Sequence, residues 1–211
     1  MGLLALLTLA APNIDKILQL AQSRYGAKAV QTVQSWQDML KAAQSMDDDG
    51  KIKRVNEFFN RKIQFGSDQD VWGQNDYWAT PLEFMGKGVG DCEDFAISKY
   101  VSLRILNIPN EKLRITYVKA RIGGPHSDVT QAHMVLGYYE DPKEEPVILD
   151  NLITDIRPAS RRNDLMPVFS FNSEGLWTGA GGSEKKDASG STAKLSTWRD
   201  LIARMQAEGF E

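Results

Sequence analysis

The chain has 211 residues, 42% hydrophobic and 25% charged, which is enough for one sizeable globular core and excludes two large domains. A formal net charge of −3 supplies no global basic field for a phosphate backbone, so no nucleic-acid partner is expected, and the run "RPASRR" (157–162) stands as a local basic patch. The single cysteine, Cys92, excludes an intramolecular disulfide, and no CxxC pair or Cys/His cluster offers a structural zinc site.

The opening "MGLLALLTLAA" is too short to span a bilayer and has the length of an export-signal core, although it lacks a positive lead. Residues 1–13 are therefore set apart as an apolar leader or an expression remnant. No other segment approaches membrane-spanning length, so the chain is not expected to cross a membrane itself. From Ile14 the spacing of Ile17, Leu18 and Leu20 predicts a helix closed by Gly26. A second helix is expected over 27–46, and a third through "DGKIKRVNEFFNRKI", with Ile52, Val55, Phe58 and Phe59 on one stripe. The stretch 64–90, rich in Gly, Asp, Asn and aromatics, shows no sustained period and reads as a long ordered loop.

"CEDFAISKYVSLRILNI" then predicts a buried helix opened by Cys92 and stopped near Asn107 and Pro109. Strands are expected at 113–122, 131–139 and 146–152, with a further one at 166–172, giving an antiparallel sheet packed on that helix. Residues 178–194 are Gly, Ser and Lys rich and read as a flexible segment, and helical spacing returns over 195–211.

Thiol catalysis needs a thiolate, a base to take and return its proton, and a group that fixes the base in one tautomer. Cys92 sits at a helix start, where unpaired N–H groups and the helix dipole favour negative charge. His133 lies within the second strand and Asp150 ends the third, so neighbouring antiparallel strands can join them. His126, in "GGPHSD", is the rival base on a less rigid platform. Asp91, Glu93 and Asp94 crowd the cysteine, yet on a helix Asp94 points almost opposite to Cys92, so the charges need not touch the thiol. Two readings of these acids stay open: Asp91 and Asp94 as a capping box, or a hard-cation site of clustered oxygens.

In this order and context, "YWATPLEFMGKGVGDCEDFAISKY", "HMVL" and "ILDNL" resemble the bacterial transglutaminase-like cysteine peptidases, most closely the LapG family of periplasmic adhesin proteases. The resemblance spans about residues 14–177. It implies an α+β, papain/transglutaminase-like fold, with Cys92 as nucleophile, His133 as base and then acid, and Asp150 as the residue orienting the imidazole. It also implies calcium dependence through Asp91, Glu93 and Asp94, a periplasmic location, and cleavage of the N-terminal region of a large biofilm adhesin. A cyclic-di-GMP-responsive inner-membrane receptor that sequesters the protease is the second partner implied. The backbone N–H of Cys92 is the first expected oxyanion donor, and the Trp78 indole is the candidate for the second. A transglutaminase-type acyl transferase and a non-catalytic peptide-binding module are the alternatives, the first using the same three residues.

Overall fold

The computed structural model describes residues 11–178 and 189–210. The helical periods of the first third become α1 (Ile14–Tyr25), α2 (Ala27–Ala43) and α3 (Asp48–Lys62). The Asn13 side chain accepts the Lys16 N–H at the start of α1, and Asp47 accepts that of Gly50 at the start of α3. Between α1 and α2 the chain turns at Gly26 with a φ of +83°, a conformation a side chain would penalise. Ile17, Val33, Trp36, Val55 and Phe59 carry these helices into one core and are wholly buried.

Residues 64–90 are more ordered than expected. They form β1 (Gln64–Phe65), α4 (Asp68–Trp72), α5 (Pro81–Lys87) and β2 (Val89–Gly90), with β1 and β2 paired in parallel. Seven residues are too few for α5 to show a period, but its start is written locally. The Thr80 hydroxyl accepts the Glu83 N–H, Glu83 reaches back to the Thr80 N–H, and Pro81 occupies the first helical position.

α6 (Cys92–Ile105) packs against α3, α5 and the sheet. From Asp94 to Leu103 every residue is buried, so it is a central helix with no solvent face. The sheet comprises β3 (Leu113–Arg121), β4 (Thr130–Tyr138), β5 (Val147–Leu149), β6 (Arg157–Pro158), β7 (Leu165–Phe171) and β8 (Leu176–Thr178). All its pairings are antiparallel, in the order β6-β5-β4-β3-β7-β8. The four expected strands are present; β6 and β8 are too short for alternation to announce them. Setting β4 beside β5 brings the neighbourhood of His133 to the end of the strand that precedes Asp150.

Of the segment expected to be flexible, residues 179–188 lie outside the described residues, as do residues 1–10 of the leader. The last helix, α7 (Ser189–Glu208), begins at Ser189 and not at 195. Trp198, Leu201 and Met205 anchor it in the core, with the Trp198 ring edge-on to Tyr100 and Phe171. Among the described residues no helix is long and apolar enough to cross a membrane.

One buried charge opposes this packing. Lys99, midway along α6, is 1% exposed, its Nζ has no hydrogen-bond partner among the described residues, and its ammonium lies 5.6 Å from the Phe95 ring centre. Burial pushes its pKa down to about 7, against the field of Asp150, which raises it. Because the unfolded chain keeps this lysine protonated up to about pH 10, the unfolded state binds more protons between about 7 and 10. Native stability therefore rises with pH across that window. Lys99→Met should stabilise the fold by roughly 4 kcal/mol at pH 7, and by about half of that at pH 9. Denaturant melts at the two pH values check it; a gain independent of pH would show that packing, not charge, is responsible.

Candidate active site

Asp91 closes the turn before α6 and caps it, so Cys92 occupies the first helical position, where backbone N–H groups have no intrahelical partner. The cysteine is 9% exposed. α6 packs on β4, and the backbone of Met134, the residue after His133, favours the charged form of the Cys92 sulfur. His133 itself is 4% exposed and its Nε2 lies 2.8 Å from Asp150 Oδ1. Asp150 is held twice more, by the Leu152 N–H at 3.0 Å on Oδ1 and by Arg162 Nη2 at 2.7 Å on Oδ2.

Burial alone would push the Asp150 carboxyl up. The hydrogen bond and charge of His133, the Leu152 N–H and the Arg162 guanidinium together hold it down to about 2. A charged carboxylate can only accept, so Nε2 carries a proton, and in the neutral tautomer this selects, the lone pair a general base requires falls on Nδ1. His126 is exposed in the turn between β3 and β4, and it is His133 that meets Asp150.

Arg162 and two asparagines were not singled out from sequence. Arg162 ends the basic run 157–162, yet it is 2% exposed and bridges Asp150 and Asp164. From α3, Asn60 Nδ2 donates to the Asp150 carbonyl at 2.7 Å and Asn56 Nδ2 to the Thr154 carbonyl at 2.9 Å, fixing the connection after β5. The sequence offered no signal for these, because each acts across a long chain separation. Arg162→Met should cost about 3–5 kcal/mol by leaving Asp150 buried without its cation. It should also raise the Asp150 pKa. The stability that Asp150 contributes is present above its unfolded pKa and lost as pH falls through the folded one, so the acid transition of the variant should begin at higher pH than in wild type. An unchanged acid transition would show that His133 and Leu152 suffice.

The acids at the start of α6 do two things. Asp91 and Asp94 form a capping box, with Glu93 N–H donating to Asp91 and Asp91 N–H to Asp94. Contrary to the helical-wheel expectation, one acid does touch the thiol: Cys92 Sγ donates to Glu93 Oε2 at 2.8 Å. At the second helical position a long carboxylate can fold back over the helix start, outside the regular three- and four-residue neighbour rule. Burial first, then the charge and hydrogen bond of Glu93 and the charge of Asp91, push the thiol pKa far up, with the Met134 backbone opposing. Cys92 is thus a protonated thiol in this arrangement.

A further acid, missed in the sequence, joins the group. Asp68, at the start of α4 and 6% exposed, has a carboxylate oxygen within 4.8 Å of those of Asp91 and Asp94, and ligand atoms of Asp91, Cys92 and Glu93 fall within the same limit. Oxygens around one calcium-sized ion, each at about 2.4 Å, lie up to about 4.8 Å apart, so the spacing fits a hard dication. The electrostatics fit as well. Burial, followed by the charges of Glu93 and then Asp94, pushes Asp91 up to about 10, and burial likewise raises Asp94. Gly90 leaves the room: a Cβ there would lie 2.3 Å from Asp94 Oδ2. Trp78, in the same neighbourhood of the chain, is buried in the core with its ring stacked on Phe171 at 5.6 Å.

A cysteine opening a helix that packs on the strand carrying a carboxylate-held histidine is the arrangement of elements found in papain/transglutaminase-like hydrolases. The profile of the bacterial transglutaminase-like cysteine proteinases matches residues 22–173, and the chain belongs to that family. Its fold is similar to that of LapG from Legionella pneumophila, at 38% identity and a TM-score of 0.75 over 92% of this chain and 99% of the other. Calcium-bound and EGTA-treated structures of the Legionella protein match with TM-scores of 0.76 and 0.77, both at 38% identity, covering 91% and 92% of this chain and 98% and 100% of theirs. A search among curated proteins returns no match.

Proposed function

We propose that the chain is a calcium-dependent cysteine endopeptidase of the periplasm that cuts the N-terminal region of a large biofilm adhesin and so releases it from the cell surface. The observation that carries the peptidase reading is the pairing of His133 with a charged Asp150 on the sheet against which the Cys92-opened helix packs. His133 Nδ1 takes the thiol proton, the sulfur attacks the scissile carbonyl, and the proton passes to the leaving amine as the C–N bond breaks. Water, deprotonated by the same nitrogen, then resolves the thioester and restores the thiol. Asp150, gripped by Arg162 and the Leu152 N–H, keeps the imidazole in the tautomer this needs. The Cys92 backbone N–H and the Trp78 indole are the donors assigned to the oxyanion. Trp78→Phe keeps the stack on Phe171 and removes one donor, so it should lower kcat by about 10²-fold with KM near wild type; an unchanged kcat removes Trp78 from that role.

Asp91, Glu93 and Asp94, with Asp68, would hold calcium, which supplies the positive charge this helix start lacks. The calcium-bound form of the Legionella relative supports that assignment. Adhesin, periplasm and control by sequestration on an inner-membrane cyclic-di-GMP receptor follow from the LapG-family resemblance. Incubating the protein with the N-terminal region of a candidate adhesin, with calcium or with EGTA, and weighing the products tests the reading. Two fragments whose masses sum to the substrate plus one water, formed only with calcium, are expected. Incorporation of a labelled amine in their place would make the protein an acyl transferase, and an intact substrate would leave it a binding module.

A further inference from the structure

The family match ends at residue 173, but α7, beyond it, returns to the acid cluster. Arg204 lies near the end of α7 with its side chain 25% exposed. Its Nη2 donates to the Trp78 carbonyl at 2.6 Å, and its Nη1 to Glu83 Oε2 at 2.7 Å and to the Tyr77 hydroxyl at 3.0 Å. Its Nε donates to Asp200 at 2.9 Å, and the guanidinium lies 4.9 Å from the Tyr77 ring centre. One turn on, Glu208 accepts from the Thr80 hydroxyl and from Arg24. The end of α7 therefore grips segment 77–80 from one side.

From its other side the same segment holds the acids. The Tyr77 N–H donates to Asp68 Oδ2 at 2.6 Å and the Ala79 N–H to Asp94 Oδ1 at 2.8 Å. The Trp78 carbonyl and the Ala79 N–H belong to one peptide group, and a peptide group is planar. A guanidinium fixed on its oxygen therefore fixes the direction in which its N–H meets Asp94. Bonds in series also polarise one another, so the charged donor at one end strengthens the acceptor contact at the other.

We propose that Arg204 is a positioning residue for the calcium site, acting through the Trp78–Ala79 peptide on Asp94, and that calcium binding and the docking of α7 are energetically coupled. The coupling is reciprocal: whatever docks α7 tightens calcium, and calcium tightens α7 by the same factor. A partner that lifted this helix would thereby release the ion. The inference rests on the calcium reading above.

Calcium titration of the full chain by calorimetry, together with amide exchange in calcium and in EGTA, tests it. Arg204→Ala should weaken calcium binding by about tenfold or more, in the range that outer partners of metal ligands contribute. Arg204→Lys should recover only part of the loss, because a point charge cannot meet four acceptors in the geometry of a planar fork. Asp200→Asn, which neutralises only the exposed partner, should bind as wild type does. In wild-type protein the amides of residues 198–208 should exchange faster in EGTA than in calcium. Equal calcium affinity in Arg204→Ala and wild type overturns the proposal, and should that variant not fold, equal exchange of α7 with and without calcium does so on its own. Wild-type protein that binds no calcium overturns the calcium reading itself, and this proposal with it.

Discussion

Cys92→Ala and His133→Ala should each reduce peptide cleavage by about 10⁴-fold or more while leaving a folded protein. Folding should survive because each deletion leaves its neighbours satisfied. Without the thiol, Glu93 still has solvent contact; without the imidazole, Asp150 keeps the Arg162 guanidinium and the Leu152 N–H. Activity should not survive, since the first deletion removes the proposed nucleophile and the second the nitrogen proposed to move its proton. Asp150→Asn should retain a trace, because it disturbs the tautomer and the charge opposite His133 and leaves both reacting groups in place. His126→Ala, in an exposed turn, should be silent. Single-turnover cleavage of an adhesin-derived peptide, with a thermal melt of each variant, is the measurement. Wild-type rates in Cys92→Ala, or a loss in His126→Ala equal to that in His133→Ala, would overturn the assignment.

Local pattern made the framework legible. The periods over 14–62 and 92–105 and the strands at 113–122 and 131–139 follow from apolar spacing, the positions of Cys92 and His133 follow with them, and Asp150 closes the strand expected at 146–152. What stayed hidden depends on contacts across long separations. Arg162 reads as one more surface arginine in a basic run, because nothing in "RPASRR" records that the turn after β6 carries it under Asp150. Asp68 lies 23 residues before Asp91, in a stretch with no period, and only the parallel pairing of β1 with β2 returns α4 to the start of α6. The Glu93 contact with the thiol failed for a different reason: ideal helical geometry describes side chains in a helix interior, and Glu93 stands in the first turn, where a long carboxylate can bend back.

Chelating calcium should stop cleavage and lower the melting temperature, and added calcium should restore both. The acids explain why the two go together. Asp68, Asp91 and Asp94 crowd buried and half-buried carboxylates against the segment that also presents Cys92, with Glu93 bonded to the thiol itself. With no cation among them these groups oppose one another's charge, and they oppose a thiolate at the helix start, so the ion-free state is the less stable and the less reactive one. An ion that binds only the folded chain stabilises it by mass action, about 2.7 kcal/mol at a concentration one hundred times its Kd. For a domain of this size that corresponds to a rise of roughly 5–10 °C in Tm. Magnesium should rescue poorly, since it demands a tighter octahedron and releases its waters reluctantly. Asp91→Asn should fold, because an amide oxygen can still cap the Glu93 N–H, yet lose most of the calcium response in both melting and cleavage. If EGTA leaves cleavage and melting unchanged, or if Asp91→Asn responds to calcium as wild type does, these acids are a helix cap alone, and the thiol must be activated without a metal.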